Sequence, residues 1–245
     1  EVLTELPDKI EQNMILPFND EEEKIYVANL AEANKELQEL YDLEGSDKMQ
    51  ILKLLTRLRQ LCLEPRLVYD NIDQPSSKLK ACMELIKTMQ ENKQKVLLFS
   101  SFTSVLDLIA EECQKAGITY YMLTGSTNKE DRRELVSRFQ KDDTTVFLIS
   151  LKAGGTGLNL TSAEAVIHFD PWWNVSAQNQ ATDRAYRIGQ KNNVQVFNLV
   201  MKDSVEEKII ELQKRKKELA DMFVENNSGG LSQMSKEDIL SLFTM

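Results

Sequence analysis

The sequence predicts an α/β fold: a parallel sheet with helices on both faces, preceded by a helical segment. Three observations carry this. From residue 95 onward, short apolar runs alternate with amphipathic stretches. Strand alternating with helix implies parallel strands joined by right-handed crossovers. The runs are β-branched and apolar on both faces, as strands buried on both sides must be. Ahead of residue 77 the pattern is helical, and the charge differs too. Residues 1–76 hold 17 acidic and 8 basic side chains, whereas the remainder is balanced, within a total of −9 over 245 residues.

Taken in order, DEEEKIYVANLAEANKELQELYDL places Ile25, Leu30, Leu37, Leu40 and Tyr41 at roughly helical spacing, after Asn19 or Asp20 as N-cap. Glu21 to Glu23 suit the positive end of that helix. Gly45-Ser46-Asp47 breaks it. MQILKLLTRLRQLCL then reads as a second amphipathic helix that ends before Pro65, and IDQPSS (72–77) as a linker. The expected strands are 95–100, 119–123, 145–150, 165–169 and 194–200. The expected helices between and around them are 78–92, about 103–116, 129–140 and 176–187. A last long helix, about 204–224, aligns Val205, Ile209, Leu212, Leu219 and Phe223, and its KRKK run (214–217) reads as a solvated face. NNSGG (226–230) reads as flexible, and SKEDILSLF as one short capped helix. The expected organisation is therefore 1–76 helical, 77–225 α/β, and 226–245 tail.

Composition excludes several classes. No apolar run reaches the ~18–20 residues of a membrane span. The chain opens EVLTELPDKI, without the charged-then-apolar start of a secretory leader and without an initiator Met, so it reads as an excised piece. Cys62, Cys82 and Cys113 show no metal or disulfide spacing, which suits a reducing compartment. A single histidine, His168, disfavours His-rich metal sites, and we expect no metal held by this chain's side chains. His168 sits between Ile167 and Phe169 in a strand and reads as a core residue. An overall pI of about 4.9 argues against a broadly basic nucleic-acid surface but leaves room for a local one.

Ligands of open α/β sheets bind beyond the carboxyl ends of the strands. Three segments lie there. SSFTS follows the first strand. Its hydroxyls, including Ser101 and Thr103, read first as helix caps and second as a phosphate site. SLKAGGTGLN (150–159) packs Gly154, Gly155 and Gly157 together beside Lys152. Glycine there permits positive φ and close backbone approach, although a tight turn explains it nearly as well. No GxxxxGK[ST] occurs, so the usual triphosphate grip is absent. QNQATDRAYRIGQ (178–190), read as helix, aligns Gln180, Arg184 and Arg187 and stacks Ala177, Ala181 and Ala185. An Asp183–Arg187 ion pair is the plain reading; an anion clamp is the sharper one.

The order of these segments resembles the C-terminal RecA-like lobe of Swi/Snf-family helicase-related ATPases. VLLFSSFT resembles the family's motif IV, and LTGSTNKEDRRELVSRF the segment after it. ISLKAGGTGLNLTSAEAVIHFDPWWN resembles motif V with its extension, and QATDRAYRIGQ motif VI. LPDKIEQ and LRQLCLEPRLV resemble parts of the helical second-lobe insertion, and VEEKIIELQKRKKEL the bracing helix. CLEP and Tyr186 depart from the family's usual Cys-Asn-His-Pro and histidine, and both look structural. The ILSLF tail points weakly to a bacterium.

The resemblance implies an ATP-dependent translocase of double-stranded DNA. ATP with Mg²⁺ would lie between this lobe and an N-terminal RecA-like lobe of the same protein, so that this piece alone is inactive. It implies catalytic roles for Arg184 and Arg187 as arginine fingers, with Gln180 beside them. Gly155, Gly157, Asn159 and Asp183 would lie near the nucleotide. Ser101, Thr103, Thr124, Gly125, Lys152 and Trp173 would meet DNA phosphates, while Trp172 reads as buried. A nucleoprotein partner, no membrane, and a cytoplasmic location at the bacterial nucleoid (the nucleus in a eukaryote) complete the expectation. Two other readings stand beside it. One is a degenerate lobe serving as a protein-interaction module; retention of both arginines and the loop glycines opposes it. The other is half of a nucleotide-sugar transferase, which has no evident use for the Gln-Arg-Arg segment. A P-loop and a DExH-like acid motif upstream in the gene would decide for the ATPase.

Overall fold

The computed structural model describes residues 6–42, 48–154, 157–222 and 235–244. Six strands form one sheet in the order β1-β6-β5-β2-β4-β3. They are β1 (Lys9–Leu16), β2 (Val96–Ser100), β3 (Tyr120–Leu123), β4 (Val146–Ser150), β5 (Ala165–His168) and β6 (Val194–Met201). All pairings among β2 to β6 are parallel. β1 runs parallel to β6 as well: Val194 N–H donates to the Asp8 carbonyl and Lys202 N–H to that of Leu16, an equal step along both strands. The chain goes outward from β2 to β3, returns to β4, then crosses to β5 and β6. Right-handed crossovers made in opposite directions put helices on both faces.

The helices are α1 (Asp20–Asp42), α2 (Lys48–Leu63), α3 (Ser77–Glu91), α4 (Thr103–Lys115), α5 (Lys129–Phe139), the single turn α6 (Leu151–Gly154), α7 (Val175–Thr182), α8 (Val205–Met222) and α9 (Lys236–Leu242). Asn19 caps α1: its Oδ1 accepts from the N–H groups of Glu21 and Glu22, and its own N–H donates to the Glu22 carboxylate. Asn128 and Asn174 cap α5 and α7 in the same way, and Ser235 and Asp238 form a reciprocal capping box on α9.

Two compact units emerge: Glu1–Met14 with Lys80–Leu199, and Ile15–Leu79 with Val200–Met245. The first encloses an apolar core of Leu97, Phe99, Phe139, Phe147, Ile149 and Val166. In the second, Tyr26, Leu30 and Leu37 of α1, Leu55 and Leu58 of α2 and Val205, Ile209 and Leu212 of α8 are buried. Tyr26 Oη accepts from the Val205 N–H at 2.8 Å. These units are drawn differently from the sequence boundaries at 76/77 and 225/226.

Three local expectations are corrected. Residues 9–16 form an edge strand, where the sequence suggested no strand; their side chains are mostly exposed, so no apolar alternation marks them. The expected helix 176–187 ends at Thr182, because the backbone tightens there. Arg184 and Ala185 donate to carbonyls three residues back, and the Arg184 carbonyl is taken by the Leu160 N–H at 2.9 Å. Trp172 is half-buried, not buried. Leu219 has no described side chain, and Phe223 lies outside the described residues.

Candidate functional site

The carboxyl ends of β2, β3 and β4 converge on a cleft of about 630 Å³. Ser101, Thr103, Thr124, Gly125 and Lys152, each singled out in the sequence, all line it. So do Asp107, Met122, Ser126 and Ser150, which the sequence did not single out. Asp107 follows Thr103 by one turn of α4, and Ser150 ends β4. Both positions follow from their element, but neither residue type marked them as site residues.

The hydroxyls of SSFTS do not cap α4, contrary to the first reading. The N-cap is Phe102, which makes no side-chain cap bond. Ser100 Oγ and Ser101 turn instead to the Asp170 carboxylate. The N-cap side chain therefore offers the first N–H groups of α4 no acceptor, and a helix N-terminus of this kind at the wall of the cleft favours an anion. Lys152 is exposed and makes no ion pair among the described residues. A Cβ on Gly125 would meet nothing within 4 Å, and its φ is ordinary. Nothing inside the chain requires glycine there, so the open backbone leaves room for a ligand to come close.

Gly157 and Asn159 border a second cleft, also about 630 Å³, together with Lys129, Arg132 and Arg133 of α5. Gly157 adopts φ +42°, a conformation that favours glycine. Gly155 lies outside the described residues. Gln180, Asp183 and Arg187 are exposed, and they line neither cleft. Gln180 sits in the last turn of α7, whereas Arg184 and Arg187 occupy the turns beyond it, so the three do not share one continuous helical face. Arg187 forms no ion pair with Asp183 among the described residues. Arg184 is half-buried, and its Nε is buried without a hydrogen-bond partner among the described residues. An unmet buried donor of this kind is costly and suits an anionic acceptor. Trp173 is half-buried and outside the first cleft's lining.

His168 is a satisfied core histidine. Its ring stacks on Phe99 at 5.7 Å, and Nε2 lies 2.9 Å from Thr182 Oγ1 at the end of α7. Burial pushes its imidazole down to about 4, against an opposing pull from Asp170.

The fold is that of RecA-like α/β domains, and residues 77–189 match the helicase conserved C-terminal domain family. An ATP-dependent helicase of Mycoplasma pneumoniae is 37% identical over 99% of this chain and 23% of its own length. The C-terminal domain of the Sulfolobus solfataricus SWI2/SNF2 ATPase superposes with TM-score 0.77 at 27% identity, covering 96% of this chain and 98% of that one. The same archaeal ATPase core in complex with dsDNA gives TM-score 0.78 at 30% identity, over 98% of this chain and 51% of that one. The chain carries a helicase C-terminal domain of the Swi/Snf family. It spans about a quarter of the length of the relatives it matches.

Proposed function

We propose that this chain is the second motor lobe of an ATP-dependent translocase of double-stranded DNA. The observation that carries the reading is the first cleft: a helix N-terminus whose N-cap side chain makes no cap bond, hydroxyls, an open glycine and a lysine with no ion pair among the described residues line one space at the sheet's carboxyl edge. Backbone amides and a lysine of this kind hold phosphates without reading bases, so we expect little sequence preference. Trp173 is a candidate to pack against the same strand.

ATP with Mg²⁺, shared with an N-terminal lobe, would supply the γ-phosphoryl group whose transfer to water drives the motor. The orphaned Nε of Arg184 and the exposed guanidinium of Arg187 fit that role. Placed at the γ-phosphate, they offset charge that spreads in the transition state. Gln180, Asp183, Gly157 and Asn159, with Gly155, are the polar and backbone contacts we assign to the nucleotide. Residues 1–76 would serve as the insertion and the VEEKIIELQKRKKEL helix as the brace. The protein acts where its DNA is, in a bacterial nucleoid or a nucleus, on a nucleoprotein.

The test is turnover. The 245-residue chain given Mg-ATP and duplex DNA should not hydrolyse ATP, since it holds no P-loop. In a protein carrying both lobes, Arg184→Lys and Arg187→Lys should lower DNA-stimulated kcat by ~10³–10⁵ while ATP affinity changes little. Near-normal turnover in both variants would end the arginine-finger assignment.

A further inference from the structure

We propose that Asp170 is a positioning residue for the phosphate-binding loop, and that Ser101 acts through it instead of on the DNA. The proposal rests on the DNA reading above. Asp170 lies two residues beyond β5 and is 6% exposed. Its Oδ1 accepts from Ser100 Oγ at 2.6 Å and from the Ser101 N–H at 3.1 Å, and its Oδ2 accepts from Ser101 Oγ. Ser100 Oγ in turn accepts from the Phe102 N–H at 3.1 Å. Below this network the strands are already joined, by Phe169 N–H to the Phe99 carbonyl at 2.9 Å. One carboxylate therefore fixes the exit of β2 against the exit of β5 through charge-assisted bonds, the stronger kind.

Two consequences follow. Both donors of Ser101, its amide and its hydroxyl, are directed at Asp170, although Ser101 borders the cleft. The loop is also held so that Phe102, which has no polar side chain, falls at the N-cap of α4. The helix N-terminus thereby takes no cap from that side chain, and Thr103 and Lys152 line the cleft beside it. A carboxylate near a phosphate site is electrostatically adverse, so its benefit must be geometric. This makes the sign of the effect diagnostic. Removing the charge should tighten DNA binding if Asp170 acts only through its field, and weaken it if Asp170 sets the loop.

The test is binding of a short duplex by the chain at low salt, where phosphate contacts are strongest. Asp170→Asn and Ser101→Ala should each weaken binding roughly tenfold, the scale of a lost bond to a charged group. The double variant should bind no worse than Asp170→Asn alone, because Ser101 acts through that carboxylate. Tighter or unchanged binding by Asp170→Asn overturns the proposal, and so does additivity of the two substitutions. Should Asp170→Asn fail to fold, Ser101→Ala decides. Weaker binding with faster hydrogen exchange at amides 101–104 in the DNA-free chain supports positioning. Weaker binding with unchanged exchange means direct contact, and unchanged binding means no role; either overturns it. Failure of the unsubstituted chain to bind, or of Lys152→Ala to weaken binding, would instead overturn the DNA reading itself.

Discussion

Lys78 and Glu206 form a buried ion pair across 128 residues of sequence. Lys78 Nζ lies 2.7 and 2.8 Å from the two carboxylate oxygens, and the side chains are 0% and 1% exposed. Glu206 also accepts from the Met201 N–H at 2.8 Å. The pair joins the start of α3 to the first turn of α8. Removing one partner strands the other charge away from water. Lys78→Met or Glu206→Gln should each cost about 3–5 kcal/mol, whereas Lys78→Met with Glu206→Leu should cost far less, because no buried charge is left alone. Guanidinium unfolding midpoints check this. Single variants that lose under about 1 kcal/mol would show that the pair is dispensable.

His168 makes stability pH-dependent in a defined direction. Its folded value of about 4 lies below the ordinary 6.5, so the unfolded chain binds the proton first as pH falls. The contribution is complete above pH 6.5 and is lost on the way down to 4, a total of about 3 kcal/mol. His168→Gln cannot titrate. Between pH 7 and 4.5 it should lose less stability than the parent chain, measured by urea unfolding at both pH values. Equal losses would mean that the imidazole is not held neutral.

The cysteines should be inert in the folded chain. Burial pushes the Cys113 thiol up to about 12 and the Cys62 thiol higher, and Cys82 is fully enclosed. The thiolate is the reactive form. An aromatic disulfide reagent at pH 8 should label none of Cys62, Cys82 and Cys113 in native buffer and all of them in guanidinium. The same shift predicts falling stability as pH rises from about 9 to 12, since only the unfolded chain then releases these protons.

Lys152 should account for about one counterion. Lys152→Ala should weaken duplex binding evenly across sequences and lower the slope of log affinity against log salt by ~0.9. A loss confined to particular sequences would mean base readout at this residue.

The sequence by itself determined the parallel α/β class, the five strands from 96 to 201 and the helices that alternate with them. It did so because strands buried on both faces must be apolar throughout, and that signal is local. It also marked Ser101, Thr103, Thr124, Gly125 and Lys152, which lie up to 51 positions apart, yet each follows a strand end. Tertiary structure alone decided the rest. The strand at Lys9–Leu16 exists because β6 offers it an edge, and its exposed side chains carry no pattern of their own. Beyond Thr182 the helix bearing Gln180 tightens into turns, and Leu160, from another segment, takes the Arg184 carbonyl there. Ser101 looks in sequence like a cap or a phosphate donor, and only the fold brings Asp170, 69 residues away, to claim both of its donors. Hydrogen bonds between distant segments depend on positions that no local window of residues contains, so they were settled by the packing of the sheet.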